Sequence, residues 1–123
     1  MAIYKIFPTQ DATLYSSYPN KNTGLDEILE ASLEVNQPPD PTPQASRFLI
    51  QFSTDEITDI INNKISGSQW SANLKCFVAN VSSLNMNTTL ETYPVYQSWS
   101  MGLGRSNYDP EVTDGVSWIW KDY

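Results

Sequence analysis

The chain has 123 residues, 40% of them apolar and 12% aromatic, which suffices for one folded domain whose core needs no disulfide staples. Its 14 acidic and seven basic side chains give a formal charge of −7, and the basic residues are scattered from Lys5 to Lys121. Nucleic acid and anionic membrane both require a clustered basic surface, so these two partner classes are set aside. Having no histidine and one cysteine, Cys76, the sequence excludes Ser-His-Asp triads, Cys-His dyads, imidazole zinc sites and intrachain disulfides.

The start, Met1 to Pro8, is too short and too polar for a signal-peptide core, and no apolar run reaches transmembrane length. Ile3 to Phe7 reads as a first extended segment, and Asp11 to Tyr15 as a short strand closed by the polar loop Ser16 to Gly24. From Glu27 to Val35 two periods compete. Leu29, Ala31, Leu33 and Val35 alternate with polar residues as in a half-buried strand, whereas Leu25, Ile28, Leu29 and Leu33 fit one helix face. The strand is preferred here, because Gly24 precedes the run and its neighbours are strands.

Four prolines follow between Asn36 and Gln44, and they predict a stiff surface loop, since proline cannot donate to a sheet ladder. Strand character returns in Arg47-Phe-Leu-Ile-Gln-Phe52. Ser53-Thr-Asp-Glu56 has the form of a capping box, with Ser53 accepting from the Glu56 amide and Glu56 reaching back. Ile57, Ile60, Ile61 and Ile65 then share one face of a short helix near 54–65, and Gly67 offers a stop. Asp55, Glu56 and Asp59 suit the positive end of that helix without any acid–base role.

Beyond Trp70, Leu74 to Val81 and Leu90 to Tyr96 read as strands joined by a turn-rich connection, Ser82 to Thr88. Cys76 lies in the first of them, where a buried small thiol is expected. Pro94 marks the second as an edge strand or a bulged one. Met101-Gly-Leu-Gly-Arg105 has no phosphate-loop lysine and reads as a flexible loop. Asp109, Glu111 and Asp114 supply oxygen donors in one stretch, but their spacing is not that of a calcium loop, and a solvated turn is expected. Three of the four tryptophans and seven of the fifteen aromatic residues lie between Glu91 and Tyr123. On a terminal strand, Val116, Trp118 and Trp120 would share one side.

Taken in order, several motifs resemble a DNRLRE-type domain. They are Asp11-Ala-Thr-Leu-Tyr15, Asn22-Thr-Gly24 with Ile28-Leu-Glu30, and Ser46-Arg-Phe-Leu-Ile-Gln-Phe52. Leu74 to Asn80, Leu90 to Val95, Gln97 to Arg105 and Asp114-Gly-Val-Ser-Trp118 continue the likeness, which spans roughly residues 8 to 122. It is greatest to the versions carried by tailed phages of marine bacteria and cyanobacteria, which look like virion components. The resemblance implies a mainly β fold, a jelly-roll-like β-sandwich related in shape to carbohydrate-binding modules, and it carries no catalytic residues. Two departures stand out: the helical insert Ser53 to Ile65 is longer than the link usual there, and relatives continue past the Gly-Val-Ser-Trp motif. A single domain over 1–123, incomplete at its C-terminus, is therefore expected.

The expected function is that of a non-enzymatic structural or accessory virion protein, at a phage head, neck or tail. It would act through contacts with other virion proteins or copies of itself. The alternative is a carbohydrate-binding module that adheres to host glycans. No cofactor, metal or catalytic site is assigned. The candidate contact residues are Tyr96, Trp99, Trp118 and Trp120, either core material or an aromatic platform for a partner or a sugar ring.

Overall fold

The computed structural model describes residues 2–35, 39, 42–65, 69–81 and 89–122. Its centre is a three-stranded antiparallel sheet of β1 (Pro8–Tyr15), β2 (Ser32–Val35) and β3 (Pro43–Phe52), in the order β1-β3-β2. Strand β3 pairs with both of its neighbours: Ala12 faces Leu49 and Leu14 faces Arg47, while Leu33 faces Ala45. Residues directly opposite share a face, so these six lie on one side of the sheet. Thr13, Phe48, Tyr15, Ser46 and Ser32 lie on the other. The pairing shifts between Pro8 and Gln10, the irregularity a proline with no N–H favours at a strand start.

The outer edge of β1 is closed by a side chain. The Thr23 hydroxyl accepts from the Thr13 N–H at 3.1 Å and donates to the Thr13 C=O at 2.6 Å. One hydroxyl thus replaces a neighbouring strand at that residue and removes its free backbone groups from any template for further pairing. The Thr13 hydroxyl in turn accepts from the Glu30 N–H at 3.1 Å, which ties the run before β2 to β1.

Helix α1 (Thr54–Asp59) begins where the capping motif places it, the Ser53 hydroxyl accepting from the Glu56 N–H at 3.2 Å. Among the described residues the Glu56 carboxylate makes no return bond, so half of the box is present. The helix then widens into a π turn over Ile60–Lys64, closed by the Ile65 N–H donating to the Ile60 carbonyl at 3.0 Å. Asp59 holds that turn, accepting from Asn63 at 2.7 Å and pairing with Lys64 at 3.2 Å. Ile60 is buried while Ile57 faces outward, so the apolar face is narrower than its spacing suggests.

Several sequence expectations are corrected. Ile3 to Phe7, Leu74 to Val81, Leu90 to Tyr96 and the terminal run from Val116 to Trp120 form no strand, and only Ser32–Val35 of the Glu27–Val35 run does. Strand propensity measures fit to a neighbour, and among the described residues these segments have no strand beside them. Cys76 is exposed for the same reason, not buried. β3 starts earlier than expected, at Pro43. Most of the proline run, the connection from Ser82 to Thr88 and the proposed helix stop at Gly67 lie outside the described residues. No helix among the described residues is long and apolar enough to cross a membrane.

Candidate functional site

The most extensively hydrogen-bonded cluster in the fold is built on Asn22, which the sequence offered as part of the Asn22-Thr-Gly24 motif and not as a candidate site residue. Asn22 is fully buried, and its side-chain amide uses all four of its hydrogen-bonding positions. Nδ2 donates to the Met101 carbonyl at 2.7 Å and to the Val116 carbonyl at 2.8 Å. Oδ1 accepts from the Gly104 N–H at 2.8 Å and the Gly24 N–H at 3.1 Å. The backbone N–H of Asn22 donates to the Val112 carbonyl at 2.8 Å. One side chain therefore fastens the loop after β1 to the stretches 101–104 and 112–116. The Asn22-Thr-Gly24 motif has a structural purpose: Asn22 pins the C-terminal loops, and Thr23 closes the edge of β1.

Glycines surround this knot because nothing larger fits. A Cβ at Gly104 would lie 2.2 Å from the Asn22 carbonyl oxygen, and one at Gly24 would lie 2.0 Å from that of Met101. Gly102 also has φ +78, in the left-handed region that glycine adopts without strain. Met101-Gly-Leu-Gly-Arg105 is thus a packed loop, not the flexible one expected. Around it, Lys21 donates to the Ser106 carbonyl at 2.8 Å and the Ser106 N–H to Asp26 at 2.9 Å, while Arg105 reaches Glu27 at 3.7 Å.

Held by this knot, the C-terminal stretch lies along the Leu49 face of the sheet. Ser100 bridges it: Val116 N–H donates to the Ser100 carbonyl at 2.8 Å, and the Ser100 N–H donates to that of Lys121 at 3.1 Å. Between them the chain makes a tight loop, with Ser117 N–H bonded to the Trp120 carbonyl at 2.7 Å. Trp99, Trp118 and Trp120 come together there with Leu49 and Val95 around an open hollow of about 220 Å³. Three of the four candidate contact residues are therefore assembled in one place. Tyr96 is not among the hollow's lining residues and is 93% exposed.

The three tryptophans are not equivalent. The Arg47 guanidinium, projecting from β3, sits 5.1 Å from the Trp118 ring centroid, within cation–π range. Trp120 is 44% exposed, and its indole N–H donates to Asn20 at 3.2 Å. Trp99 and Trp118 are half-buried. Val116, expected on the same side of a terminal strand as Trp118 and Trp120, is instead buried.

A second, smaller hollow of about 70 Å³ lies on the opposite face of the sheet, among Tyr15, Glu30, Ser32 and Gln44. Glu30 accepts from the Tyr15 hydroxyl at 3.2 Å and from the Ser32 hydroxyl at 3.1 Å. Burial, followed by the Glu30 carboxylate beside it, pushes the Tyr15 phenol up to about 12. Asp109, Glu111 and Asp114 are all exposed, and no group of three or more metal-ligating side chains converges among the described residues. No family model matches the chain, and neither a curated protein nor a solved structure does.

The remaining feature is a surface. Residues 69–81 and 89–98 are exposed throughout and make no backbone hydrogen bond among the described residues. They present Phe77 at 83% and Tyr93 at 76% exposure, along with Trp70, Val78, Leu90 and Tyr96. The accessible surface of the chain is 10039 Å², whereas a compact monomer of 13.9 kDa exposes about 6,700 Å².

Proposed function

We propose that the chain is a non-enzymatic assembly protein, a structural or accessory component of a phage virion that works through protein–protein contacts. The observation that carries this is the apolar ribbon of residues 69–81 and 89–98, whose aromatic and aliphatic side chains face outward, with their backbone groups unpaired among the described residues. In water such groups are tolerated, but a large contiguous apolar surface marks an interaction site, and extended segments with free N–H and C=O groups add to a sheet. In this reading the three-stranded sheet is one part of a jelly-roll-like sandwich whose remaining strands form on assembly. The virion setting rests on the ordered likeness to DNRLRE-type domains.

The test is co-expression of the full chain with the products of its neighbouring genes, followed by sizing and mass measurement of what co-purifies. A complex of fixed stoichiometry with one of them, or with further copies of the chain, is the expected result. A chain that stays monomeric and joins none of them overturns the assembly role.

A second reading, glycan adhesion, is favoured by one observation: Trp99, Trp118 and Trp120 converge on a single open hollow. Against it, one face of Trp118 already carries the Arg47 guanidinium. A stacked sugar needs a free aromatic face. Dose-dependent signal on a glycan array that vanishes in Trp120→Ala would establish this reading over the first.

A further inference from the structure

We infer that the apolar ribbon is an interface between two copies of this chain, in which residues 69–81 of each copy lie against residues 89–98 of the other. The inference rests on the assembly role and names its partner.

Charge is the first argument. The whole chain carries −7, so two copies repel wherever ordinary surface meets. Residues 69–81 and 89–98 hold only two charged side chains, Lys75 in the first stretch and Glu91 in the second, and their sum is zero. Depletion of charge with enrichment of aromatics is the compositional mark of an interface core. The two charges are also placed for self-complementarity. A two-fold contact brings residue i against j and j against i, so Lys75 of each copy meets Glu91 of its mate, twice. Both side chains are exposed, Lys75 beside Phe77 at 5.0 Å from the ring centroid and Glu91 accepting from the Tyr93 hydroxyl.

Area is the second argument. The chain exposes about 3,300 Å² more than a compact monomer of its mass. An obligate interface between two chains buries about 2,000–5,000 Å² in total. The two copies together carry about twice that excess, so an interface of this class covers roughly a third to three-quarters of it, and pairing of the extended segments satisfies backbone groups that are unpaired among the described residues of the single chain.

The experiment is sedimentation equilibrium on the full chain and on Lys75→Glu, Glu91→Lys and an equimolar mixture of the two variants. The wild-type chain should sediment as a dimer. Each variant alone places like charges together at both contacts, and its dimer should weaken about tenfold or more. Glu91→Lys is the sharper of the two. It makes the chain less negative overall, so a general charge effect would strengthen its association. In the mixture both contacts become attractive again, and dimer mass should return. Pairing within one chain gives no such recovery on mixing. A cooperative urea-unfolding transition in each variant, with the midpoint of wild type diluted to monomer, confirms that each is folded, as expected for exposed positions.

A wild-type monomer at all concentrations overturns the inference, as does a mixture that stays monomeric or single variants that dimerise like wild type. If the monomer still forms a fixed complex with a neighbouring gene's product, the assembly role survives and only the choice of partner falls.

Discussion

The side-chain oxygen of Asn22 accepts a hydrogen bond from the Gly104 N–H across 82 residues of sequence, at 2.8 Å and out of contact with water. That bond, with the three others made by the same amide, joins the loop after β1 to the C-terminal stretch that carries the tryptophans. Only an amide serves, because two carbonyls and two N–H groups converge on it. Asn22→Ala should lower stability by about 3 kcal/mol, the cost of leaving several buried polar groups unpaired. Asn22→Asp, equal in shape, should be no better, since a carboxylate cannot donate to Met101 and Val116. Urea denaturation midpoints test both, and an Asp variant as stable as wild type would refute the assignment.

Gly104 and its neighbour Leu103 give a contrasting pair. A methyl group at Gly104 meets main-chain oxygen at 2.2 Å, and backbone must move to admit it. Leu103 points outward at 63% exposure. Gly104→Ala should therefore cost about 2 kcal/mol or more, and Leu103→Ala should stay within about 0.5 kcal/mol of wild type. Thermal unfolding of the two variants side by side makes the comparison.

What sequence periodicity made legible was local. Asp11 to Tyr15, Arg47 to Phe52 and the Ser53 cap all announce themselves through alternation or a short-range motif, and each is found in place. The Asn22-Thr-Gly24 motif is legible as a motif, but what Asn22 does is not, because its four partners lie on three separate stretches and a buried amide looks like any loop asparagine until they meet. Gly24, Gly102, Gly104 and Gly115 were a further signal: glycines of three separate stretches crowd one point. The strand-like runs Leu74 to Val81 and Leu90 to Tyr96 mislead in the opposite sense. Their composition suits a pleated surface, but pairing needs a neighbour that composition does not supply. Of the candidate residues, Trp99, Trp118 and Trp120 converge because the Asn22 knot and the Ser100 bridge draw their loops together. Tyr96 sits just outside both restraints.

Thr23 should be replaceable by serine and not by valine. Valine keeps the shape but leaves the Thr13 N–H and C=O, both held by the hydroxyl, without a partner at the edge of β1. The expected loss is about 1–3 kcal/mol for Thr23→Val and much less for Thr23→Ser. Amide hydrogen exchange provides a local check. The Thr13 N–H should exchange far faster in the valine variant and near the wild-type rate in the serine variant.

Tyr15 sets an alkaline limit. Its phenol is held up to about 12 in the folded chain, above the ordinary value of 10.0, first by burial and then by the Glu30 carboxylate. Between those values the unfolded chain gives up the proton and the folded chain keeps it, so unfolding releases a proton and is favoured as pH rises. The contribution is complete below about pH 10 and is lost by about pH 12. In Tyr15→Phe this part of the alkaline decline should disappear, along with the highest-pH step in the phenolate absorbance titration. A titration curve unchanged in its last step would show that Tyr15 ionises like an exposed tyrosine.

Phe77 separates folding from assembly. It is 83% exposed and lies in a stretch that makes no backbone hydrogen bond among the described residues, so the fold of a single chain draws nothing from it. Burying a phenylalanine against a partner, in contrast, is worth about 1.5–3 kcal/mol. Phe77→Ser should therefore leave the urea midpoint within about 0.5 kcal/mol of wild type when measured dilute enough for the chain to be monomeric. The same substitution should weaken association about tenfold or more, two copies of the residue being lost from a symmetric interface. Equal loss in both measurements would place Phe77 in the core of the single chain, and the ribbon would then be part of the fold rather than its contact surface.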